Sequence, residues 1–437
     1  MQQQLMLWSG VLKNKNRLIH DQTGSITLLL AITLPVMIGF IGLAADTSTW
    51  YLHQRNMQTA ADATAIATGY RISSTSTGSS LQSRAASEAA RNGFGSAQGV
   101  TVTTNLPPLT GGYTSDTQAL EVILTKPESR FFSGVFLSND PNIHARAVVR
   151  NQPVGNACIL ALDPTANDAL RFQGNTTVNL NGCVAAANSN SGSAVNVTGD
   201  AASLVGNVTL NAQNLYTAGT YSVSGSSVLN TVDTPVTNGI PIADPYSGLA
   251  NPTFSGCAGG NSLTINNTVT LSPTTFCNGL RLNSNADVTL NPGTYYIDRG
   301  NFKVNGGAKL RGTNVTIVLT SSTASSYATV DMNGGADVQL SASSSGQYAG
   351  LLFYQDRRAD PSGSNKFNGN SSTQFDGAVY IPNQSVDFNG GNVSATNVCT
   401  QVIARLILFS GNSNMSNNCT GVNQSDVQIP GNVKLVE

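Results

Sequence analysis

The second half of the chain repeats a short pattern: an apolar residue, any residue, Gly or another small residue, a polar residue, two free positions, then a second apolar residue. It appears as "FQGNTTV" from Phe172, "VTGDAASL" from Val197, "LNSNADV" from Leu282, "VNGGAKL" from Val304 and "MNGGADV" from Met332. It returns as "FNGNSSTQF" from Phe367, "FNGGNVS" from Phe388 and "FSGNSNM" from Phe409. Several of these spacings are about 21–28 residues, a period that implies stacked structural repeats. Short alternating strands such as "GTNVTIVLT", 312–320, lie between Gly/Asn corners. The spacing predicts a right-handed parallel β-helix, mainly β overall, with strands about 4.8 Å apart and about eleven coils in a rod of about 50 Å. Val, Leu and Ile are expected inside, Asn and Thr at the corners, and stability in nearest-neighbour stacking. The rival is a β-sandwich or jelly roll, whose strands would be joined by hairpins. The Pro-rich stretch "NGIPIADPYSGLANPTFSGC", 238–257, breaks the pattern and reads as a loop leaving the rod. The last stretch, "TGVNQSDVQIPGNVKLVE", reads as a capping strand or tail.

Composition sets the partners. The net charge is -1 and only 10% of residues are charged, so no basic surface for nucleic acid and no acidic arm are expected. Aromatic residues are 6%, few for a large conventional core, while the regular Val, Leu and Ile argue against a disordered polar tract. All six cysteines, Cys158, Cys183, Cys257, Cys277, Cys399 and Cys419, lie in the distal part of the chain, without a CxxC or Cys/His zinc pattern. Taken in successive pairs they are about 20–25 residues apart, a structural-disulfide spacing that leaves fifteen pairings open and makes neighbour pairing the simplest. Bridges between adjacent coils would contribute about 3 kcal/mol each and imply an oxidising compartment.

Residues 26–43, "ITLLLAITLPVMIGFIGL", contain no charge, and eleven of them are Leu, Ile, Val or Phe. That length approaches a membrane span, and insertion is favoured by about 5 kcal/mol. Pro35 is tolerable within such a helix. Lys13, Lys15 and Arg17 precede the segment and Asp46 follows it. The positive-inside rule then keeps the N-terminus cytoplasmic and exports the rest, with Trp50 and Tyr51 at the outer interface. A cleaved signal peptide ending near Gly42, Ala44 and Ala45 is the rival, but its apolar core would be shorter. Beyond the span, no Pro or Gly interrupts residues 44–68, and Ala is the best helix former. One helix from about 26 to 68 would run about 65 Å, with Gly69 as C-cap. Met57, Ala61 and Ala65 form a narrow small-residue stripe, open either to packing in its own domain or to a partner helix. Asp62 is expected on the wet face or beside a partner cation.

The order of these features resembles the N-terminal segment of the TadG-like family of Flp (tight-adherence) pilus-assembly proteins. The matching residues are Gly24, Pro35, Asp46, Arg55, Met57, Gln58, Ala60, Ala61, Asp62, Ala63, Ala65, Ile66 and Ala67, within about residues 20–70. The resemblance implies a single-pass inner-membrane protein of pilus assembly or surface adhesion. Its partners would be pilus or secretion-machinery membrane proteins, engaged through the N-terminal helix. Two features depart from relatives. Gly24 is followed by "SITLLL" without the Glu of pilin-like substrates, so prepilin processing is not expected. "DTSTW" from Asp46 lacks the last Ser of the von Willebrand A metal motif, so no such metal site is expected.

Residues 71–152 read as a small α+β, pilin-like domain. It comprises a helix "LQSRAASEAARNG" stopped by Gly93, strands at 100–104, 119–125 and 143–150, and a short aromatic helix or turn in "RFFSGVF". The layout is a cytoplasmic lead 1–25, a transmembrane helix 26–45, its continuation 46–70, the α+β domain 71–152, bounded by Asn151, Pro153 and Gly155, and the β-helix 153–437.

β-Helix proteins include polysaccharide lyases and hydrolases, which need clustered carboxylates, often with calcium. The three histidines, His20, His53 and His144, lie outside the rod, and His144 reads as an outward strand residue. The densest charge in the rod is "QDRRADPSG", with Asp356, Arg357, Arg358 and Asp360. It reads as a solvated, self-paired loop, with a calcium or sugar-contact loop as alternative. "DPTAND", 163–168, suits calcium or ordinary turn chemistry equally. The sequon Asn207-Val208-Thr209 is what Asn/Thr corners produce. No catalytic, cofactor or metal residues are expected. The expectation is a non-enzymatic exported structural protein in the inner membrane, its bulk periplasmic or extracellular, with a surface glycan or protein as adhesion ligand. An anchored β-helix carbohydrate-active enzyme is the alternative, and a passive surface-layer component a third.

Overall fold

The computed structural model describes residues 23–72, 78–135, 137–152, 154–192, 199–255, 257, 262–368, 373–389, 392–393, 399–412, 414–418, 427–429 and 431–437. Lys13, Lys15, Arg17, His20, Pro153 and Cys419 lie outside the described residues. The chain divides into two units, Met1–Asn151 with Val433–Glu437, and Gln152–Asn432.

In the first unit, helix α1 (Thr23–Gly69) is continuous through Pro35. At 1.5 Å per residue it is about 70 Å long. From Ile26 to Leu43 its large apolar side chains are exposed. Lower down, Met57, Ala60, Ala61 and Ala65 are buried against α2 (Gly78–Arg91) and an antiparallel sheet. That sheet holds β1 (Thr101–Asn105), β2 (Ala119–Pro127) and β3 (Asn142–Gln152). The C-terminal strand Asn432–Leu435 joins it beside β3, with Val436 N donating to Val148 O at 2.8 Å. The end of the chain is therefore neither a cap nor a tail of the β-helix, because β3 offers it an open edge. Gly69 is not a left-handed cap either. It closes the helix where a Cβ would stand 2.7 Å from Val149 Cγ2, so glycine serves close approach.

The second unit is a parallel β-helix with three faces. On the first face the paired strands run, from one end to the other, Asn214–Thr217, Cys183–Ala187, Gly155–Ala161, then the start of Thr400–Ser410 and the middle of Gln374–Asn389. Leu351–Gln355, Val315–Thr320 and the starts of Gly293–Val304 and Thr275–Leu282 follow. This is not chain order. The chain begins in the interior of the stack and coils outward to Val228–Thr231. It then crosses to the far end at Leu263–Ile265 and coils back until its last turn pairs with its first. Val402, Ile403 and Ala404 lie opposite Ile159, Leu160 and Ala161. The single superhelix expected from the repeat is thus replaced by two runs meeting at a junction. Nine first-face strands stack among the described residues, against about eleven coils anticipated at 20–25 residues each. The shortfall comes from the crossing segment and from turns as long as that between the paired residues Ile317 and Phe353.

The repeat motif marks one inward column on the second face. From end to end it reads Val223, Leu204, Phe172, Phe409, Phe388, Phe367, Met332, Val304, Leu282 and Ile265. All but Val223 and Ile265 at the ends are at most 1% exposed. The second apolar position of the motif, at Val178, Val288, Leu310 and Val338, turns inward on the third face. "VTGDAASL" is out of phase: the column residue of that coil is Leu204. At the corner after the column, asparagines form a ladder, with Asn333, Asn305 and Asn283 Nδ2 donating in turn to Asn305, Asn283 and Asn266 Oδ1. Satisfying amides against the next coil makes Asn cheap at a corner.

The first face is apolar on its outer side too, carrying Tyr216, Ala186, Leu160, Ile403, Tyr380, Tyr354 and Val318. A parallel strand covered on both sides reads as continuous apolar sequence, as in "LLFYQ" and "VTIVLT". The Pro-rich segment supplies the cover. Rather than leaving the rod, it runs along this face as a strap and buries Ile242 and Tyr246. Tyr216 OH donates to Ile240 O at 2.8 Å, and Asn188 exchanges two 2.7 Å bonds with Ile242. Further on, Tyr380 OH meets Asp244 at 2.7 Å, Phe254 stacks on Tyr296, and Cys257 bridges to Cys277. Cys158–Cys183 joins adjacent turns, with Cα atoms 5.7 Å apart. Cys399 is also disulfide-bonded, its partner lying outside the described residues.

Candidate functional site

The segment that carries the family resemblance, α1, uses two faces. The lower one is the stripe anticipated at Met57, Ala61 and Ala65, widened to Met57, Ala60, Ala61, Thr64, Ala65 and Thr68, all buried. Small side chains at i, i+3/i+4 spacing let α2 and the sheet approach closely. The stripe is therefore covered within its own unit. Asp62 is half-buried rather than on a wet face. Its Oδ1 accepts from Gln58 Nε2 at 2.8 Å, and Gln58 also donates to Arg146 O at 2.8 Å and accepts from Arg146 N at 3.3 Å. The charge inside the alanine run thus orients a glutamine that clamps the helix to the β3 backbone. Beyond it, Arg146 Nε meets the buried Glu121 carboxylate at 2.6 Å and Nη1 meets Glu437 at 2.8 Å. Burial pushes the Glu121 carboxyl up, but hydrogen bonds from Arg146, Asn105 and Leu109 N outweigh it and hold it below its ordinary value.

The upper face, Gly42, Asp46, Trp50 and His53, holds a segment that descends from the end of β2. Glu128 Oε2 lies 3.0 Å from His53 Nδ1, and Ser129 O accepts from Trp50 Nε1 at 3.2 Å. Asp46 Oδ2 accepts from Ser133 N at 2.7 Å, Ser133 Oγ at 2.6 Å and Phe131 N at 3.3 Å. Phe132 lies over Gly42, where a Cβ would stand 2.4 Å from its ring. The aromatic turn anticipated in "RFFSGVF" is the 3-10 helix Ser133–Val135 within this loop. His144 sits on exposed strand surface, 3.0 Å from Thr125 Oγ1. Sequence reasoning missed the roles of Asp46, Trp50 and His53, whose partners lie about eighty residues downstream. The only local signal was a polar or aromatic residue every three to four positions past the span.

In the β-helix the singled-out charges serve the fold. Asp356 is fully buried, not solvated, and accepts from Arg358 Nη2 at 2.7 Å and Thr320 Oγ1 at 2.8 Å. Arg357 reaches the strap, donating to Ser247 O at 2.7 Å and lying 3.4 Å from Asp244. Asp360 accepts Ser362 N in a turn. Asp163 accepts Thr165 N and Ala166 N, so "DPTAND" is an Asx turn, with Asp168 paired to Arg171. Asn207 donates to Asn175 of the adjacent coil at 3.2 Å. Among the described residues no group of three His, Cys, Asp or Glu side chains is placed to hold a metal ion.

Fold and site define a class: a small α+β unit whose first helix has the length and apolarity of a membrane span, followed in the chain by a parallel β-helix. The family of Flp pilus-assembly TadE/G-like proteins matches residues 24–71, the span and both of its packing faces. No curated protein and no solved structure matches the chain.

Proposed function

We propose that this is a non-enzymatic structural component of a pilus-assembly apparatus, held in the inner membrane by the upper part of α1. Its N-terminus would be cytoplasmic and its bulk periplasmic or extracellular. The observation that carries this reading is the match over residues 24–71, coinciding with a helix whose apolar residues from Ile26 to Leu43 are exposed. With the lower stripe of α1 covered inside its own unit, contacts with pilus or secretion-machinery membrane proteins fall to the span itself. The β-helix would serve adhesion or assembly by presenting repeated polar faces to a surface glycan or a protein. Disulfides in both runs support an oxidising compartment. Fractionation with protease accessibility tests the topology. Protection of the β-helix in spheroplasts, or recovery of the chain in the soluble fraction, would refute it.

A second reading, an anchored carbohydrate-active enzyme, draws on one observation. A shallow depression of about 330 Å³ on the third face is lined by Arg311, Gln339, Gln374 and Asp376. Sugar release from acidic polysaccharides, lost in Asp376→Ala, would favour that reading over the first.

A further inference from the structure

The chain leaves β2, runs along the upper face of α1 through residues 128–135 and passes Leu137 on its way to β3. Its contacts fall in order toward the apolar end of the helix: Glu128 at His53, Ser129 at Trp50, Phe131 and Ser133 at Asp46, Phe132 at Gly42. Ser133 and Leu137 then share an apolar groove with Pro35, Val36, Gly39, Phe40 and Leu43. The tip has therefore passed Asp46 and lies beside the charge-free segment. We propose that this loop is a membrane wedge, its tip seated at the headgroup–acyl boundary of the exported-side leaflet next to the span. This rests on the reading of α1 as a membrane anchor.

Three observations point to lipid as the occupant. The first is continuity: whatever solvates Gly39 and Phe40 also solvates the groove wall formed by Leu137. The second is composition. Phe131 is 77% and Val135 82% exposed, with Phe132 and Leu137 also open, all within seven positions of the chain. Apolar exposure so grouped marks an interaction surface, and at the end of a span aromatic residues favour the interfacial belt. The third is hydrogen bonding. Taking backbone N–H groups out of bulk water costs less where they are already hydrogen-bonded. Phe131 N and Ser133 N donate to Asp46, Val135 N to Phe132 O and Leu137 N to Ser133 O. The charges stay at the base of the loop, where Arg130 pairs with Asp140 at 2.6 Å and Lys126 with Glu128 at 2.7 Å. Asp46 is thus a positioning residue, a carboxylate just past the span that ties the wedge in place.

The test uses full-length protein with its disulfides intact, reconstituted in phosphatidylcholine vesicles. Single cysteines are introduced by Val135→Cys, Phe40→Cys and Leu109→Cys, all exposed positions, and labelled with a small environment-sensitive fluorophore. Shallow nitroxide lipids are expected to quench the probe at 135 as strongly as at 40. Aqueous iodide is expected to quench it about fivefold less than at 109. If 40 is lipid-exposed and 135 behaves like 109, the wedge is overturned and the anchor stands. Iodide access at 40 would overturn both. A probe at 135 shielded from lipid and iodide alike would mean that protein, not lipid, covers the loop, and would also overturn the proposal.

Discussion

Phe172 and Phe409 stack ring on ring, centroids 5.1 Å apart and planes 9° from parallel, although one belongs to the first turn of the β-helix and the other to its last. Phe388 continues the stack at 4.9 Å on the other side of Phe409. The junction between the two runs is thus a fully packed section of core.

Truncation at that junction should be far more costly than at the ends of the stack. Phe409→Ala is expected to lose about 3–5 kcal/mol, the range for a buried phenylalanine. Val228→Ala, on an end strand where Val228 is 46% exposed, should cost under about 1 kcal/mol. Guanidinium unfolding of both variants checks this. Equal losses would mean that the coils do not meet as described.

The strap depends on Arg357. Arg357→Ala removes the bond to Ser247 O and the cation beside Asp244, and is expected to cost about 1–2 kcal/mol. Limited proteolysis should then cut within 238–250 several-fold faster while the rest of the β-helix stays resistant. Unchanged cleavage would place the strap's hold elsewhere.

Acid should loosen the first unit through Glu121. Its folded carboxyl titrates below the ordinary 4.5, so the stabilisation is complete above that pH. As pH falls below 4.5, the unfolded chain takes up a proton before the folded one does, and stability drains until the folded carboxyl itself is protonated. Urea midpoints measured by a first-unit probe should fall between pH 5 and pH 3. In Glu121→Gln the midpoint should start lower and fall less steeply over the same range.

Both described bridges should be closed in the native protein. Maleimide uptake is expected to be nil until a reductant is added, since no cysteine is free among the described residues. The double change Cys257→Ser with Cys277→Ser opens a loop of 20 residues and should cost about 3 kcal/mol in unfolding measurements. Immediate labelling of native protein would contradict the structure.

The repeat was legible because its first residue is the inward column itself: Phe172, Leu282, Val304, Met332, Phe367, Phe388 and Phe409 all begin a quoted motif. The order of the coils was not legible. Periodicity specifies what each coil looks like, and every coil presents the same three edges, so nothing local distinguishes Leu204 from Phe409 as the neighbour of Phe172. The strap looked like an outgoing loop because Pro and Gly mask the apolar content of Ile242, Tyr246 and Leu249. In the first unit the alanine stripe was legible from helical spacing. The partner of Asp46 was not, because Ser133 lies 87 residues away and comes to it only through the descent of a loop.

The β-helix starts and finishes at the same level of its stack, away from both ends. Gln428 and Ile429 lie antiparallel to Asn156 and Gly155 just before the exit. A force applied between the two ends of this unit therefore loads the Phe172–Phe409 section in shear and does not begin by peeling an outermost coil.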